Sequence, residues 1–343
     1  MRKIIIHFLF IYASIPLTAT KAFANQELST SQAKETDRAV HQLYHSLQTN
    51  PTPKNMAARL DVISKQWLHR PYALTALGEG ASSDYDDAPR CRTDAFDCET
   101  YVDTVLALAL ATDPITFRQC MDQIRYTKGH VAYLTRNHFT SLDWNTSNQR
   151  QGFIKDITET LVNRSKQPVA KHARALIDKA AWYAHSSSRQ IRLQGASPQR
   201  LTHQLAALKQ AGSQYKAQID TIAYIPLTTL FDKKGHADIA LFKQIPNGAI
   251  VEIVRPNWDL TAIIGTHLNV SHLGFVFWDN GVLIFRQASS TLQQVIDIPL
   301  IDYLHDAQKS PTIGGINIQV VLPKTSLANG CREKSPRLNN TSP

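Results

Sequence analysis

The residue with the clearest chemical potential is a cysteine at the start of an apolar helical pattern. Cys98 follows Asp97, which can cap a helix, and residues 101–109 repeat apolar side chains at helical spacing. At a helix start, unpaired backbone N–H groups and the helix dipole stabilise an anion. We therefore expect a lowered thiol pKa and a thiolate that attacks a carbonyl, with the same N–H groups binding the oxyanion.

A cysteine nucleophile needs a base, and His272 is the best candidate in the sequence. It lies near the start of a predicted strand, 271–278, and Gly274 removes bulk beside it. Residues 279–281 form a strong hairpin turn, and pairing about this turn brings His272 within reach of Gln287 on the return strand. A Gln side-chain oxygen can accept a hydrogen bond from the imidazole and hold its tautomer. The three side chains together predict a cysteine hydrolase.

Each of these residues also has a structural interpretation. A cysteine in an exported protein, which the pattern of residues 1–24 predicts below, is usually part of a disulfide. A His at the start of a strand usually has a structural role. If Cys98 is a free nucleophile, three cysteines remain and at most one bridge can form among them. The sequence leaves that pairing open among Cys91, Cys120 and Cys331. His267 is the rival base, but it lacks the glycine-bearing strand context.

Residues 1–24 have the pattern of a secretory signal peptide. A basic start is followed by an apolar run, 4–17, and by small residues around a cleavage site at 22–24. The run is shorter than the roughly 20 apolar residues that span a bilayer, and no later stretch is long and apolar enough. We expect a soluble, exported protein, periplasmic or secreted, without stable membrane insertion.

The formal net charge is +9, but the Lys and Arg residues are spread widely along the chain. No dense basic block alternates with aromatic residues, which argues against nucleic-acid binding. A mild positive charge suits work near an anionic envelope. The Cys and His spacings match no common zinc motif, and no cofactor is expected. The sequence leaves the oligomeric state open.

Helical patterns dominate the first half of the chain and strand patterns the second, which predicts an α+β fold with an antiparallel sheet. The helical patterns cover 25–70, 98–109, 117–126 and 171–216, and the strand patterns cover 249–254, 271–278, 282–287, 293–298 and 316–322. We expect one domain over residues 25–325, with a helical insertion at about 165–220 and a loose polar tail at 326–343.

Further polar and aromatic residues are candidates for substrate contacts. They are His138, Asp143, Trp144, Glu79, Arg136, Asp97 and Ser271. The first three lie in a loop of the kind that lines clefts, although they can equally fix that loop through hydrogen bonds. Glu79 and Arg136 can meet the charged ends of a peptide, although a solvated surface position is the commoner role. Asp97 and Ser271 precede the nucleophile and the base.

The order of these elements resembles the NlpC-type papain-like peptidases. Phe96-Asp97-Cys98 is similar to their nucleophile motif, and Pro71-Tyr72 to the segment that contributes a Tyr near the nucleophile, so Tyr72 joins the candidates for substrate contact. A closer resemblance is to the N-acetylmuramoyl-L-alanine amidase-like family, domain of unknown function 1460. The strings that carry it are 77–80, 96–109, 124–126, 136–139, 143–144, 272–275 and 288–290. Many relatives have His where this chain has Gln287.

The resemblance implies a papain-like fold and a hydrolase whose substrate partner is peptidoglycan or a muropeptide. It implies a thioester on Cys98, with His272 as acid and base. Two bonds fit: the lactyl amide to L-Ala, which the family name favours, and a bond within the stem peptide. An acyltransferase or lipid hydrolase and a non-catalytic envelope-binding protein are the remaining alternatives.

Overall fold

The computed structural model describes residues 21–49, 53–323, 325–327 and 330–331, with side chains from residue 31 onward. The predicted signal peptide lies outside these ranges, except for residues 21–24, which begin the first helix. Within the described ranges, no helix combines the length and the apolar character needed to cross a bilayer.

The helices that matter for the site begin where side chains can cap them. The Thr100 N–H donates to the Asp97 carboxylate at 2.8 Å, and the Asp97 N–H donates to the Thr100 hydroxyl at 3.0 Å. Asp113 and Thr116 form the same reciprocal cap, with Pro114 at the first helical position. The helices are α1 Lys21–Thr49, α2 Met56–Lys65, α3 Cys98–Leu110, α4 Pro114–Arg125, α5 Thr146–Arg150, α6 Lys179–His185, α7 Pro198–Gly212, α8 Leu227–Leu230, α9 Ile239–Phe242, α10 Thr261–Ile264 and α11 Leu300–Ala307.

The strands form one antiparallel sheet, which confirms the α+β prediction. They are β1 Ile154–Asp156, β2 Lys171–Ile177, β3 Gln218–Pro226, β4 Ala249–Leu260, β5 Thr266–Asp279, β6 Val282–Ser289, β7 Gln294–Pro299 and β8 Gly315–Val321. Their order across the sheet is β2-β3-β8-β4-β5-β6-β7, and β1 also pairs with β8. The predicted hairpin joins β5 to β6: Asp279 pairs with Val282, and Asn280 and Gly281 between them have positive φ.

The predicted helix over 171–216 is wrong at its start, because Lys171–Ile177 is a strand. Its residues alternate between exposed and buried positions, and it pairs along its whole length with β3. Ala, Arg and Leu favour helices in isolation, but the long-range pairing overrides this weak local preference. The two helices α6 and α7 follow later in the same region.

Helices cover both faces of the sheet. On one face, α1 to α4 pack against Leu273 and Phe275 of β5. On the other face, α8, α9 and α11 pack against Val276 of β5 and Phe285 of β6. Successive β5 side chains therefore point into different layers, and α3 lies against the strand that carries the candidate base.

A disulfide joins Cys120 of α4 to Cys331 beyond β8. This is one of the pairings that the sequence left open, and Cys91 and Cys98 are free thiols. Cys331 is only 4% exposed, so the segment predicted as a loose tail, 326–343, is anchored at this residue. The bridge leaves the candidate nucleophile unmodified.

Candidate active site

Cys98 is the first residue of α3, and its position is fixed from both sides. Asp97 caps the helix, as the sequence predicted, and also accepts a hydrogen bond from the Ala76 N–H at 3.3 Å. Behind the first turn, Val102 and Val105 are completely buried, so the helix cannot rotate without opening the core. The thiol is thus held beside the unpaired N–H groups of the helix start.

The structure brings Cys98 and His272 to the same cavity. The backbone N–H of Leu273, one residue beyond His272, is close enough to the Cys98 sulfur to act against the rise of the thiol pKa. Both side chains line one cavity of about 380 Å³. Tyr72 and Tyr303 also lie near the thiol. Burial raises the pKa values of both tyrosines, and a negative charge on Cys98 raises them as well. The nucleophile and base predicted from distant parts of the sequence are therefore neighbours in space.

The predicted partner of the base is also in place. His272 Nε2 lies 2.8 Å from Gln287 Oε1, and because an amide oxygen only accepts, Nε2 carries the proton. Nδ1 is then left with a free lone pair. A Cβ on Gly274 would lie 2.8 Å from the Gln287 Cβ, so the glycine makes the room in which Gln287 reaches the imidazole.

Burial controls the protonation of this pair. It raises the pKa of the Cys98 thiol far above its ordinary value, and the negative charges of Asp97 and Glu99 raise it further. The expected lowering by the helix start is therefore wrong, because desolvation and two adjacent carboxylates outweigh the N–H groups. Burial also lowers the pKa of His272 to about 4. At neutral pH the resting pair is a thiol and a neutral imidazole.

One wall of the Cys98 cavity is apolar and comes from the tip of the β4–β5 hairpin. The residues of this wall are Trp258, Leu260, Ile263, Ile264 and Leu268. Ile263 is 66% exposed, so the wall continues to the protein surface. The Arg255 guanidinium lies 4.5 Å from the centre of the Trp258 ring and stacks on it. The wall offers a firmly held aromatic surface to a ligand in the cavity.

A second, charged space of about 160 Å³ lies beside the Cys98 cavity, and we call it the charged chamber. Its lining residues are Thr75, Leu77, Asp97, Glu99, Thr100, Asp103, Arg125, Arg136 and His138. Glu99 and His138 line the chamber and the Cys98 cavity alike. The two spaces therefore adjoin beside the nucleophile.

His138 lines the Cys98 cavity and the charged chamber, and Arg136 lines the charged chamber, but Glu79 lines neither space. Glu79 is 5% exposed and binds the Arg136 Nε at 2.7 Å, while Arg136 Nη2 also binds Asp86 at 2.9 Å. Neither alternative for Glu79, a peptide contact or a solvated position, describes this buried ion pair. Its physical role is to hold the Arg136 guanidinium in a fixed orientation.

The loop residues Asp143 and Trp144 do not line the cavity. Trp144, in a π-helical segment Thr140–Asn145, is completely buried and donates to the Asp103 carboxylate at 2.7 Å. Asp143 accepts a hydrogen bond from Lys179 at 2.5 Å. These contacts favour the alternative that the sequence left open, in which both side chains fix the loop through hydrogen bonds.

Ser271 agrees with its predicted position and lines the Cys98 cavity. Its hydroxyl accepts a hydrogen bond from the Arg255 Nε at 3.1 Å. The rival base His267 instead faces Asp259 at 3.8 Å in the outer part of the hairpin. The geometry thus favours His272 as the base.

Three residues at the site were missed from the sequence: Glu99, Trp258 and Tyr303. Glu99 directly follows the nucleophile, and this adjacency was the only available signal. Trp258 lies at the tip of the β4–β5 hairpin and Tyr303 lies in α11. No local sequence pattern predicts that either element folds against the site. Among the described residues, no group of three His, Cys, Asp or Glu side chains is arranged to hold a metal ion.

Comparisons with known proteins show the family and similar folds. A family model described as N-acetylmuramoyl-L-alanine amidase-like matches residues 62–313. A search of curated proteins found no match. A solved structure from Legionella pneumophila, assigned to domain of unknown function 1460, is 47% identical, with a TM-score of 0.85 over 88% of this chain and 99% of that one.

A second solved structure is an N-acetylmuramoyl-L-alanine amidase from Bacteroides uniformis. It is 21% identical, with a TM-score of 0.53 over 78% of this chain and 99% of that one. At this identity the likeness concerns the fold alone.

Proposed function

The chain belongs to the N-acetylmuramoyl-L-alanine amidase-like family, and we propose that it hydrolyses the lactyl amide to L-Ala in peptidoglycan through a thioester on Cys98. The observation that carries the proposal is the shared cavity of Cys98 and His272, with Gln287 bonded to the base at 2.8 Å. The fold assigned by this proposal is papain-like, with the nucleophile at a helix start against an antiparallel sheet.

The reaction follows from the protonation states of the pair. The Cys98 thiol gives its proton to Nδ1 of His272 while the sulfur attacks the carbonyl carbon. The carbonyl electrons move to oxygen, and backbone N–H groups at the start of α3 stabilise the resulting anion. When the intermediate collapses, the C–N bond breaks and His272 gives its proton to the leaving amine.

The second half of the reaction removes the acyl group. His272 is neutral again and accepts a proton from a water molecule whose oxygen attacks the thioester carbonyl. The C–S bond breaks, the carboxylic acid leaves, and the thiolate recovers the proton from His272. Gln287 keeps Nε2 as the donor throughout, so that Nδ1 faces the reacting atoms.

The different character of the two adjoining spaces favours the lactyl amide over a bond within the stem. Trp258, in the apolar wall of the Cys98 cavity, provides an aromatic surface on which a sugar ring can stack. The charged chamber provides ionic partners for a peptide. The lactyl amide is the bond that joins a sugar to a peptide. A cut inside the stem would place peptide on both sides of the nucleophile.

Digestion of purified peptidoglycan, followed by mass analysis, tests this proposal. We expect the wild type to release intact stem peptides, and Cys98→Ala to release none. Cys91→Ala is the matched control, because Cys91 is the other free thiol, and it should retain activity. Shortened stems left on the sugar would support the endopeptidase instead, and transfer to an added amine or lipid would support the acyltransferase.

We also propose that the protein is exported, as its first 24 residues predict. Fractionation of expressing cells should then place the chain without its first 24 residues in the periplasm or medium.

A biological effect that survives Cys98→Ala would favour the non-catalytic binding protein over the hydrolase.

A further inference from the structure

The apolar wall of the Cys98 cavity begins at a bulge in β4. Val254 and Trp258 are four positions apart in β4, yet they pair with β5 residues that are only two positions apart. In a regular strand, positions 255 and 258 would face opposite sides of the sheet. The bulge changes this alternation, and the Arg255 guanidinium lies 4.5 Å from the centre of the Trp258 ring. The irregular strand thus places a cation against the aromatic residue of the wall.

The bulge is held in place by its neighbours. Asn257 has a φ of 50°, and its N–H donates to the Asn269 side-chain oxygen at 3.1 Å. Asn269 is completely buried and donates in turn to the Asp220 carboxylate at 2.7 Å. Pro256, which has no N–H to donate, is tolerated in such a bulge. A Cβ on Gly314 would lie 2.5 Å from Pro256 Cδ, so the chain before β8 packs tightly against the bulge.

Three hydroxyl groups fix the Arg255 guanidinium, which belongs to a residue that is only 5% exposed. Its Nε donates to the Ser271 hydroxyl at 3.1 Å. Its Nη1 donates to the Ser310 hydroxyl at 3.3 Å and also to the Thr312 hydroxyl. Because the donors of a guanidinium lie in one plane, these bonds define the orientation of that plane. The ring stacked on it is oriented as well.

Burial makes the stacking of Arg255 on Trp258 stronger than a surface contact would be. Desolvation lowers the pKa of Arg255, and a cation attracts an aromatic ring more strongly when water is excluded. Trp258 is half-buried and lines the Cys98 cavity, whereas Arg255 does not line it. The guanidinium can therefore act on a ligand in the cavity only through the ring.

We propose that Arg255 is a positioning residue for sugar recognition, because it fixes the plane of the Trp258 ring on which the sugar beside the lactyl amide stacks. The inference rests on the proposed function and adds a residue that determines specificity without touching the substrate. Arg255 acts on binding of the sugar and not on the reacting groups. Its loss should therefore appear in KM and depend on the presence of the sugar.

Two substrates with the same scissile bond test the inference. One is a muropeptide with its sugar, and the other is the same stem peptide with only the lactyl group in place of the sugar. In Arg255→Met, kcat/KM for the muropeptide should fall by about 10-fold, mainly through KM, since the ring binds the sugar equally in the ground and transition states. For the lactyl peptide, kcat/KM should stay within about 2-fold of the wild type.

Arg174→Met is the matched control, because Arg174 is exposed on the edge strand β2. It should behave as the wild type on both substrates. An equal loss on both substrates in Arg255→Met, or a loss in kcat with KM unchanged, would assign Arg255 a merely structural role and overturn the inference.

A double-mutant cycle tests whether Arg255 acts through the ring. Trp258→Ala should show the same selective loss, and adding Arg255→Met to it should lower kcat/KM by no more than about 2-fold further. Losses that multiply in the double variant would give Arg255 an effect independent of Trp258 and overturn the inference. If Arg255→Met does not fold, Arg255→Lys lacks the planar group that stacks and should show the selective loss; unchanged selectivity there would overturn the inference.

The wild type separates failure of the inference from failure of the proposed function. Equal cleavage of the muropeptide and the lactyl peptide would show that the sugar is not recognised, which overturns the inference and leaves the proposed function intact. Cleavage of neither substrate would contradict the proposed function itself.

Discussion

Replacing Gln287 by Glu changes the charge beside the base while keeping the length of the side chain. The amide oxygen lies 2.8 Å from His272 Nε2, and burial holds the pKa of His272 at about 4. A carboxylate about 4 Å from the imidazolium charge contributes roughly 4 kcal/mol at an effective dielectric constant of 20. Since one pKa unit corresponds to about 1.4 kcal/mol, the pKa of His272 should rise by about 2 to 3 units.

The pH dependence of kcat/KM reports this change, because its acid limb follows the protonation of the free enzyme's base. The wild type should lose activity only as the pH falls through about 4, and Gln287→Glu should lose it about 2 to 3 units higher. Gln210→Glu, on the exposed surface of α7, adds the same charge away from the base and should leave the limb unmoved. An unmoved limb in Gln287→Glu would refute either His272 as the base or Gln287 as its partner.

Three further predictions concern the support of the site and the stability of the fold. Gly274→Ala should lower kcat by about 10-fold or more while the protein stays folded, because its Cβ would lie 2.8 Å from that of Gln287; unchanged steady-state rates would contradict this role. Burial raises the pKa of Glu252 to about 8. Between pH 4.5 and 8 the carboxyl ionises in the unfolded chain but stays protonated in the folded one, so the free energy of unfolding falls as the pH rises through about this range. Glu252→Gln should remove this slope and gain on the order of 3 kcal/mol at pH 7, and urea unfolding at pH 5 and pH 8 would expose an error if both proteins kept the same slope. Reduction of the Cys120–Cys331 bridge should cost about 2 to 5 kcal/mol, and an unchanged Tm after reduction would show that the bridge adds no stability.

Local patterns in the sequence predicted where two of the candidate residues lie in the fold. The cap at Asp97 and the turn at 279–281 are short-range features, and they determine where Cys98 and Gln287 lie. Gly274 was recognised as a position without bulk, and the structure gives the reason, because a side chain there would displace Gln287.

Burial explains most of what the sequence did not predict. The helix start indicated a low thiol pKa, but desolvation of Cys98 has the opposite and larger effect. Trp144 and Glu79 have types that suit substrate contacts, yet both are buried against Asp103 and Arg136. Whether a polar side chain faces a ligand or a protein partner depends on long-range packing, which a local pattern does not contain.

The same limit applies to the strand at Lys171–Ile177 and to the charged chamber. The strand depends on pairing with β3, more than 40 residues from its start. The chamber combines α3, α4 and the loop of Arg136, so only the folded chain brings Glu99 and the guanidinium groups together. Long-range assembly therefore created the features that the sequence left unassigned.

Mass analysis of the trapped acyl-enzyme tests the central claim most directly. Wild-type protein is mixed with a muropeptide, quenched in acid within the first turnover and digested for peptide mapping. The proposed mechanism predicts a thioester on the peptide that contains Cys98, with the added mass of the lactyl-bearing sugar and none of the stem peptide. An adduct on Cys91, or release of stem peptides by Cys98→Ala, would contradict Cys98 as the nucleophile, and an adduct with the mass of stem residues would contradict the lactyl amide as the bond attacked.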